Sequence, residues 1–350
     1  MDTETDPQTV PQTATVPETG PETGPEGGRL PLVDDEGRPF EAGELDELEP
    51  EHPPLIDEHG RVRLSFSRID TYRTCSLQFR YAYIDRLPGR AAPALSFGTS
   101  IHAALERFYD RKIPQTPSED DLVGFLYDLW DPTGFKHVSR EEQLANYRFA
   151  QDVLRRWYRR EARTGFRMPA ETERWFELGV DGVATVVGSI DRLDVVDDDG
   201  NLEVIDYKTN RRLKTREQVA GSLQLAIYAL ACQHLFGRLP AAVSLDFVVP
   251  GVRVRVPLEE LDLDGAREAI VQTADRVRAE LYEPTPNRLC NWCDFRALCP
   301  AWQGEGPELL GPAMTELEQL RRNVRRDVAR MRHLEAGVAR AYESLGALEH

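Results

Sequence analysis

Gly188-Ser-Ile-Asp191-Arg-Leu-Asp194 and, one turn later, Val204-Ile-Asp206-Tyr-Lys208-Thr209 are the two stretches on which the reading of this chain rests. Between them Asp198-Asp199-Gly200-Asn201 has the composition of a hairpin turn, and both flanks are rich in β-branched residues. The segments therefore read as adjacent antiparallel strands. Side chains two apart on a strand share a face, so Asp206 and Lys208 point the same way. A hairpin can set Asp191 beside Asp206, giving paired carboxylates and an ammonium group at one spot. Asp194, on the same strand, competes with Asp191 for that place.

Hard oxygen donors in this arrangement suit Mg2+ or Mn2+. Ions so held can activate water and offset the charge that develops when a phosphodiester is attacked, with Lys208 adding a compact positive charge. A lone D-x-K is more often a surface ion pair. Two features favour the chemical reading: the apolar run at 202–205 before it, and the rarity of lysine, which occurs only at 112, 136, 208 and 214 in an arginine-rich chain.

Working outward, β-branched or alternating segments at 174–180, 183–196, 202–208, 243–249 and 252–256 read as strands. Helices are expected from an N-cap at Ser67 to about Tyr83, and at 99–111, 118–130, 140–163, 216–236 and 262–281. The order of helices, three-strand meander, helix, two strands and helix implies an α/β (α+β) architecture, a mixed β-sheet flanked by helices.

The formal net charge of −17 is concentrated at the start of the chain. Residues 1–60 hold 17 acids against Arg29 and Arg38. They are rich in Pro, Glu, Thr and Gly, and read as a disordered acidic tail. The remaining 290 residues carry a net −2, compatible with a basic groove. No apolar run approaches the roughly 20 residues of a membrane span, and an odd count of five cysteines with no secretory signal favours the reducing cytoplasm.

Cys290-Asn-Trp-Cys293 and Cys299 form a C-x2-C-x5-C set in a proline-rich loop. Three thiolates leave a tetrahedral site one ligand short, and Cys75 can supply the fourth. Four cysteines suit a [4Fe-4S] cluster or zinc. Cys232 lies in an apolar helix and reads as core.

These motifs resemble the RecB-like branch of the PD-(D/E)XK nuclease superfamily. Gly188 to Asp191 and Ile205 to Thr209 are similar to its G-x-x-D and D-Y-K-T pair. Gly98-Thr-Ser-Ile-His102-Ala-Ala-Leu-Glu106 resembles its upstream metal-binding helix, and Gln224-Leu-Ala-Ile-Tyr228 its Q-x-x-x-Y motif. The resemblance implies a restriction-endonuclease-like fold over residues 61–303. It also implies metal ligation by His102, Asp191 and Asp206, catalysis by Lys208, and positioning by Gln224 and Tyr228. Glu173 is an auxiliary acidic candidate. The cysteines resemble those of AddB-type nucleases, whose [4Fe-4S] cluster ties the two ends of the domain together; here Ser76 follows Cys75 where that family commonly has proline.

The implied activity is an Mg2+- or Mn2+-dependent exonuclease on DNA that is single-stranded or has free ends, in repair or recombination. The alternatives are a nuclease-derived DNA-binding module without catalysis and a structural partner of a helicase. With no P-loop in the chain, unwinding would come from a helicase partner. Arginines and aromatics at 155–167 read either as a phosphate track or as a solvated helix face. After a linker at 304–312, residues 313–350 show a coiled-coil-like apolar period and are expected to form one amphipathic helix, suited to self-association or to packing on the domain itself.

Overall fold

The computed structural model describes residues 53–302, apart from 91 and 114, together with five positions further on, Gln319, Leu320, Asn323, Arg330 and Leu334, which have helical backbone. The expected linker and most of the C-terminal helix lie outside the described residues, as does the tail up to residue 52. The folded body begins earlier than the boundary at 61. Asp57 accepts hydrogen bonds from the backbone N–H groups of His59 and Arg61, and Ile56 bridges Val62, closing a turn against the first strand.

A six-stranded sheet forms the centre. Strand β1 (Val62–Leu64) runs parallel to the start of β3 (Ala184–Val195), and β2 (Glu171–Val180) lies antiparallel along the whole of β3. On the other edge, the end of β3 pairs with β4 (Leu202–Lys208), which runs parallel to β5 (Ala242–Phe247); β6 (Val252–Pro257) closes the sheet antiparallel to β5. One edge of β3 is thus shared, with β1 at residues 184–186 and β4 at 192–195. The segment between them is where the neighbouring strands part.

Helices cover both faces. Against one pack α1 (Phe66–Thr74), α7 (Leu223–Phe236) and α8 (Leu263–Arg278), burying Ile69, Tyr72, Ile227, Leu230 and Ile270 on Val186, Val204 and Leu245. Against the other pack α3 (Pro93–Phe108), α4 (Glu119–Asp128) and α5 (Arg140–Thr164), where Phe108, Leu122, Leu154 and Trp157 meet Ile205, Tyr207 and Val248. Apolar burial of this extent, at about 25 cal/mol per Å2, is the main term holding the layers together.

Two expected elements differ, and one strand was not anticipated. The first helix is capped by Ser65 and stops at Cys75, whose backbone is extended; a short α2 (Ser76–Phe79) and a π turn (Arg80–Ile84) follow. The helical periodicity through Tyr72 and Phe79 survives because both rings still pack on the same core, but the break frees Cys75 from the helix. The single helix expected at 216–236 is two, α6 (Arg216–Ala220) and α7, because Thr215 and Ser222 each start a helix with a side-chain cap. Strand β1, only three residues long, carries too little pattern to be read in advance.

The α3–α5 face of the sheet is laced with charge. Fully buried Asp246 is gripped through both oxygens by Arg160 and also contacted by Arg253, which reaches Glu161. Arg192, also buried, forms a two-point pair with Asp194 and donates to the Tyr109 hydroxyl. Such groups lock α5 to the sheet, since stranding one buried charge costs about 3–5 kcal/mol.

Candidate active site

The register places three carboxylates in one row. Thr172 and Arg174 of β2 pair with Arg192 and Ile190 of β3, so Glu173 falls opposite Asp191; Arg192 pairs with Ile205 of β4, so Asp206 comes next to Asp191 on the other side. The β3–β4 ladder ends at that level. In its place Asp191 Oδ2 accepts the backbone N–H of Tyr207 at 2.8 Å, so a side chain takes over where strand pairing gives out. Glu173 sits at φ +43, outside regular strand geometry, which turns it out of the ladder.

Helices close on the row from both faces. From α3, His102 Nδ1 lies 3.4 Å from Asp191 Oδ2, and its ring meets Tyr207 edge-on at 5.9 Å. From α7, Gln224 Oε1 accepts from Lys208 Nζ at 2.8 Å while its Nε2 donates to the Tyr228 hydroxyl at 2.9 Å. Lys208 Nζ also pairs with Asp206 Oδ2. Gly188 is required because an added Cβ would lie 2.8 Å from the Phe176 ring, itself packed edge-on to Tyr228. Gly98 lets α3 approach the Thr209 hydroxyl, 3.2 Å from where its Cβ would be. A cleft of about 510 Å3 opens here, lined by Leu95, Thr99, His102, Glu173, Asp191 and Thr209 among others.

The electrostatics are those of crowded acids in a dry place. Burial, then the neighbouring Asp206 and Glu173, push the Asp191 carboxyl well above the usual range. Burial likewise raises Glu173. Burial lowers His102, despite the carboxylates around it, which favours the neutral imidazole that can ligate a metal. Among the described residues, one group of three or more His, Cys, Asp or Glu brings its ligand atoms within 4.8 Å of one another: His102, Glu173 and Asp191. Asp206 lies just beside it, with a buried Oδ2 that has the Lys208 ion pair but no hydrogen bond aimed at it. A divalent cation fits this donor set, relieving the repulsion and completing Asp206.

The residues anticipated from sequence therefore converge: His102, Asp191, Asp206, Lys208, Gln224 and Tyr228. Asp194 does not join them; both its oxygens are taken by Arg192. Glu173 is more central than an auxiliary role suggested. Its signal was its position, which only the β2–β3 register reveals. Within the arginine-rich stretch at 155–167, Arg159 is held bidentately by Glu119 and Arg160 by Asp246, and Trp157 is buried, while Arg156 is exposed and forms no ion pair among the described residues.

The four loop and helix-break cysteines also meet. Cys75, Cys290, Cys293 and Cys299 line a cavity of about 280 Å3 with Pro284, Pro286, Leu289 and Trp302. Cys75 Sγ accepts the Thr285 N–H at 3.4 Å and Cys290 Sγ that of Asn287 at 3.2 Å. Ser76, in the place of the expected proline, clamps the two chain segments together: its hydroxyl donates to the Glu283 carbonyl and accepts the Glu283 N–H. Asn287 reaches back to the Thr74 carbonyl, and the Tyr81 hydroxyl to that of Leu298. Cys232 is buried in α7, its thiol pushed up to about 12 by burial.

Mixed sheet, splayed central strands and acidic row with lysine define a nuclease fold of the PD-(D/E)XK type. The profile of the PD-(D/E)XK nuclease superfamily matches residues 63–300, and the chain belongs to that superfamily. It is similar to the Gene 69 protein of Mycobacterium phage D29, 28% identical over 271 residues covering 68% of this chain and 97% of the phage protein. It is also similar to the Gene 69 protein of Mycobacterium phage L5, at 23% identity over 68% of this chain and 96% of that one. Among solved structures, the crystal structure of SSO0001 aligns at 17% identity over 59% of this chain and 86% of the other, with a TM-score of 0.27, too low to carry an argument.

Proposed function

We propose that the protein is a deoxyribonuclease requiring Mg2+ or Mn2+, acting as an exonuclease on single-stranded or end-bearing DNA in repair or recombination. The observation that carries the reading is the meeting of Glu173, Asp191 and Asp206 from three adjacent strands with His102 and Lys208. His102, Asp191 and Asp206, joined by Glu173, would hold the divalent ion, which supplies activation of water and neutralisation of the phosphate. Lys208 presents its ammonium where charge builds on the scissile phosphate, and Gln224, anchored by Tyr228, fixes its direction. The Tyr207 N–H holds Asp191 in place.

The cysteine cavity supports a second part of the reading, a [4Fe-4S] cluster held by Cys75, Cys290, Cys293 and Cys299. Tetrahedral zinc, with Zn–S near 2.3 Å, draws its sulfurs to about 3.8 Å of one another. All four sulfurs face one cavity, with zinc the less favoured occupant of the same thiolates. The hydrogen bonds from Thr285 and Asn287 to sulfur suit thiolate ligands.

From the sequence come the remaining parts of the proposal: a reducing, cytoplasmic setting, a helicase partner that supplies unwinding, and self-association through 313–350. Among the described residues no helix is long and apolar enough to cross a membrane.

The test is cleavage of end-labelled linear and of circular single-stranded DNA, with and without Mn2+, by the native protein and Lys208→Ala. Metal-dependent degradation of the linear substrate alone, lost in the variant, is expected. Equal cleavage by both proteins overturns the catalytic assignment, and cutting of circles overturns the exonuclease mode.

A further inference from the structure

Strand β4 ends on Lys208, and the chain then runs through Thr209, which lines the cleft, into an exposed loop, Asn210-Arg211-Arg212-Leu213-Lys214. Three cations therefore stand within six residues of the site lysine, and one of them is among the chain's four lysines. The loop is not free to swing. Asn210 Nδ2 donates to the Arg212 carbonyl, tightening it, and the Arg211 guanidinium lies over the Phe149 ring, 4.9 Å from its centre. That ring is stacked on Phe97 at 5.7 Å, and Phe97 belongs to α3, the helix that carries His102. From α5, Arg156 approaches the same ring at 6.0 Å, and exposed Arg148 adjoins it in sequence.

Several arginines on and around the sheet are neutralised at home: Arg155 and Arg159 by Glu119, Arg160 and Arg253 by Asp246, Arg192 by Asp194, Arg216 by Glu260. Among the described residues, Arg148, Arg156, Arg211, Arg212 and Lys214 form no ion pair with an acid. The acids nearest in sequence are Asp152, paired with Arg155, and exposed Glu217 at the start of α6. In a chain of net charge −17, unpaired cations that follow directly on a cleft residue, two of them seated on one stacked aromatic ring, suit an anionic partner.

We propose that loop 210–214, with Arg148 and Arg156, is the track that grips the DNA single strand on one side of the scissile phosphate. Arg212 and Lys214 contact successive phosphates, and Arg211 on Phe149 sets the height of the track. This rests on the nuclease reading for which strand enters the cleft, but its test is one of binding alone.

The experiment measures affinity of the full-length protein for a fluorescein-labelled oligothymidylate of about 16 nucleotides, in EDTA, across a series of salt concentrations. The Arg212→Gln/Lys214→Gln variant is compared with native protein and with Arg267→Gln/Arg276→Gln, an equal charge change on α8 across the sheet. Each lost phosphate contact on a single strand lowers the slope of log affinity against log salt by about 0.7, so the loop variant should lose roughly 1.4 in slope. The α8 variant should keep the native slope. An unchanged slope in the loop variant, or an equal fall in both, overturns the track. Cleavage plays no part in this readout, so an inactive protein that still shows the loop effect would sink the nuclease reading and leave the track standing.

Discussion

The carboxylate site and the cysteine cavity are built on opposite plans. The first stands on the sheet, its acids set in a row by the registers of β2, β3 and β4, and two helices only add His102 and Gln224. The second has almost no regular structure beneath it. It brings a helix break at Cys75 against a proline-rich loop more than 200 residues later, joined by Ser76, Asn287 and Tyr81. A site on a sheet is preorganised by backbone hydrogen bonds before any ion arrives. A site made of distant loops gains much of its order from what it binds, so occupancy and folding become one free energy.

The largest effect should come from Lys208→Ala. Removing a charge aimed at the transition state typically costs about 10^2–10^3 in rate, and the sheet beneath should leave the melting temperature within about 3 °C of native. A variant that also unfolds would mean the lysine is structural and the contrast false. Next, Cys75→Ser should strip visible absorbance from aerobically or anaerobically purified protein and lower the thermal transition by more than about 10 °C; a colourless native protein with stoichiometric zinc would instead remove the cluster.

Asp246→Ala sharpens the first half of the comparison by attacking the support and not the site. Arg160 and Arg253 would be left buried without their partner, costing about 3–5 kcal/mol in denaturant unfolding. A loss below about 1 kcal/mol would show that water reaches the network and that α5 is held by apolar packing alone. Smallest is a pH effect. Asp191 and Glu173 have raised carboxyls in the fold, so they favour the native state while protonated, and that contribution is lost as pH rises through their elevated values. Mn2+ binds the deprotonated groups, so its stabilisation should grow with pH: a larger melting shift near pH 8 than near pH 5. Equal shifts at both would place the ion elsewhere.

Much of the carboxylate site was legible because its spacing is local. Asp206 and Lys208 share a strand face, Gln224 and Tyr228 share a helix face, and a hairpin joins Asp191 to them. Glu173 was harder to weigh, because its place opposite Asp191 depends on a register and a positive φ that no short pattern encodes. Asp191 and Asp194, three apart on one strand, lie on opposite faces, and only the structure shows which face holds the site: Arg192 captures Asp194 on the other. The helix break at Cys75 was invisible for a related reason: Tyr72 and Phe79 keep an apolar repeat across it while Ser76 binds Glu283, far away in the chain. Part of the arginine stretch in α5 read ambiguously because the acids that pair with Arg159 and Arg160, Glu119 and Asp246, lie far away in the chain.

The Tyr207 amide has a further use. Its proton ends on a carboxylate oxygen of Asp191 at the level where the β3–β4 ladder stops. Any gain or loss of charge on that oxygen, whether from a proton or from an arriving cation, must alter the strength of this one bond. A nitrogen-15 label at that position would therefore act as a built-in gauge of the cleft, its resonance moving on titration while amides a few residues away in β4 stay still.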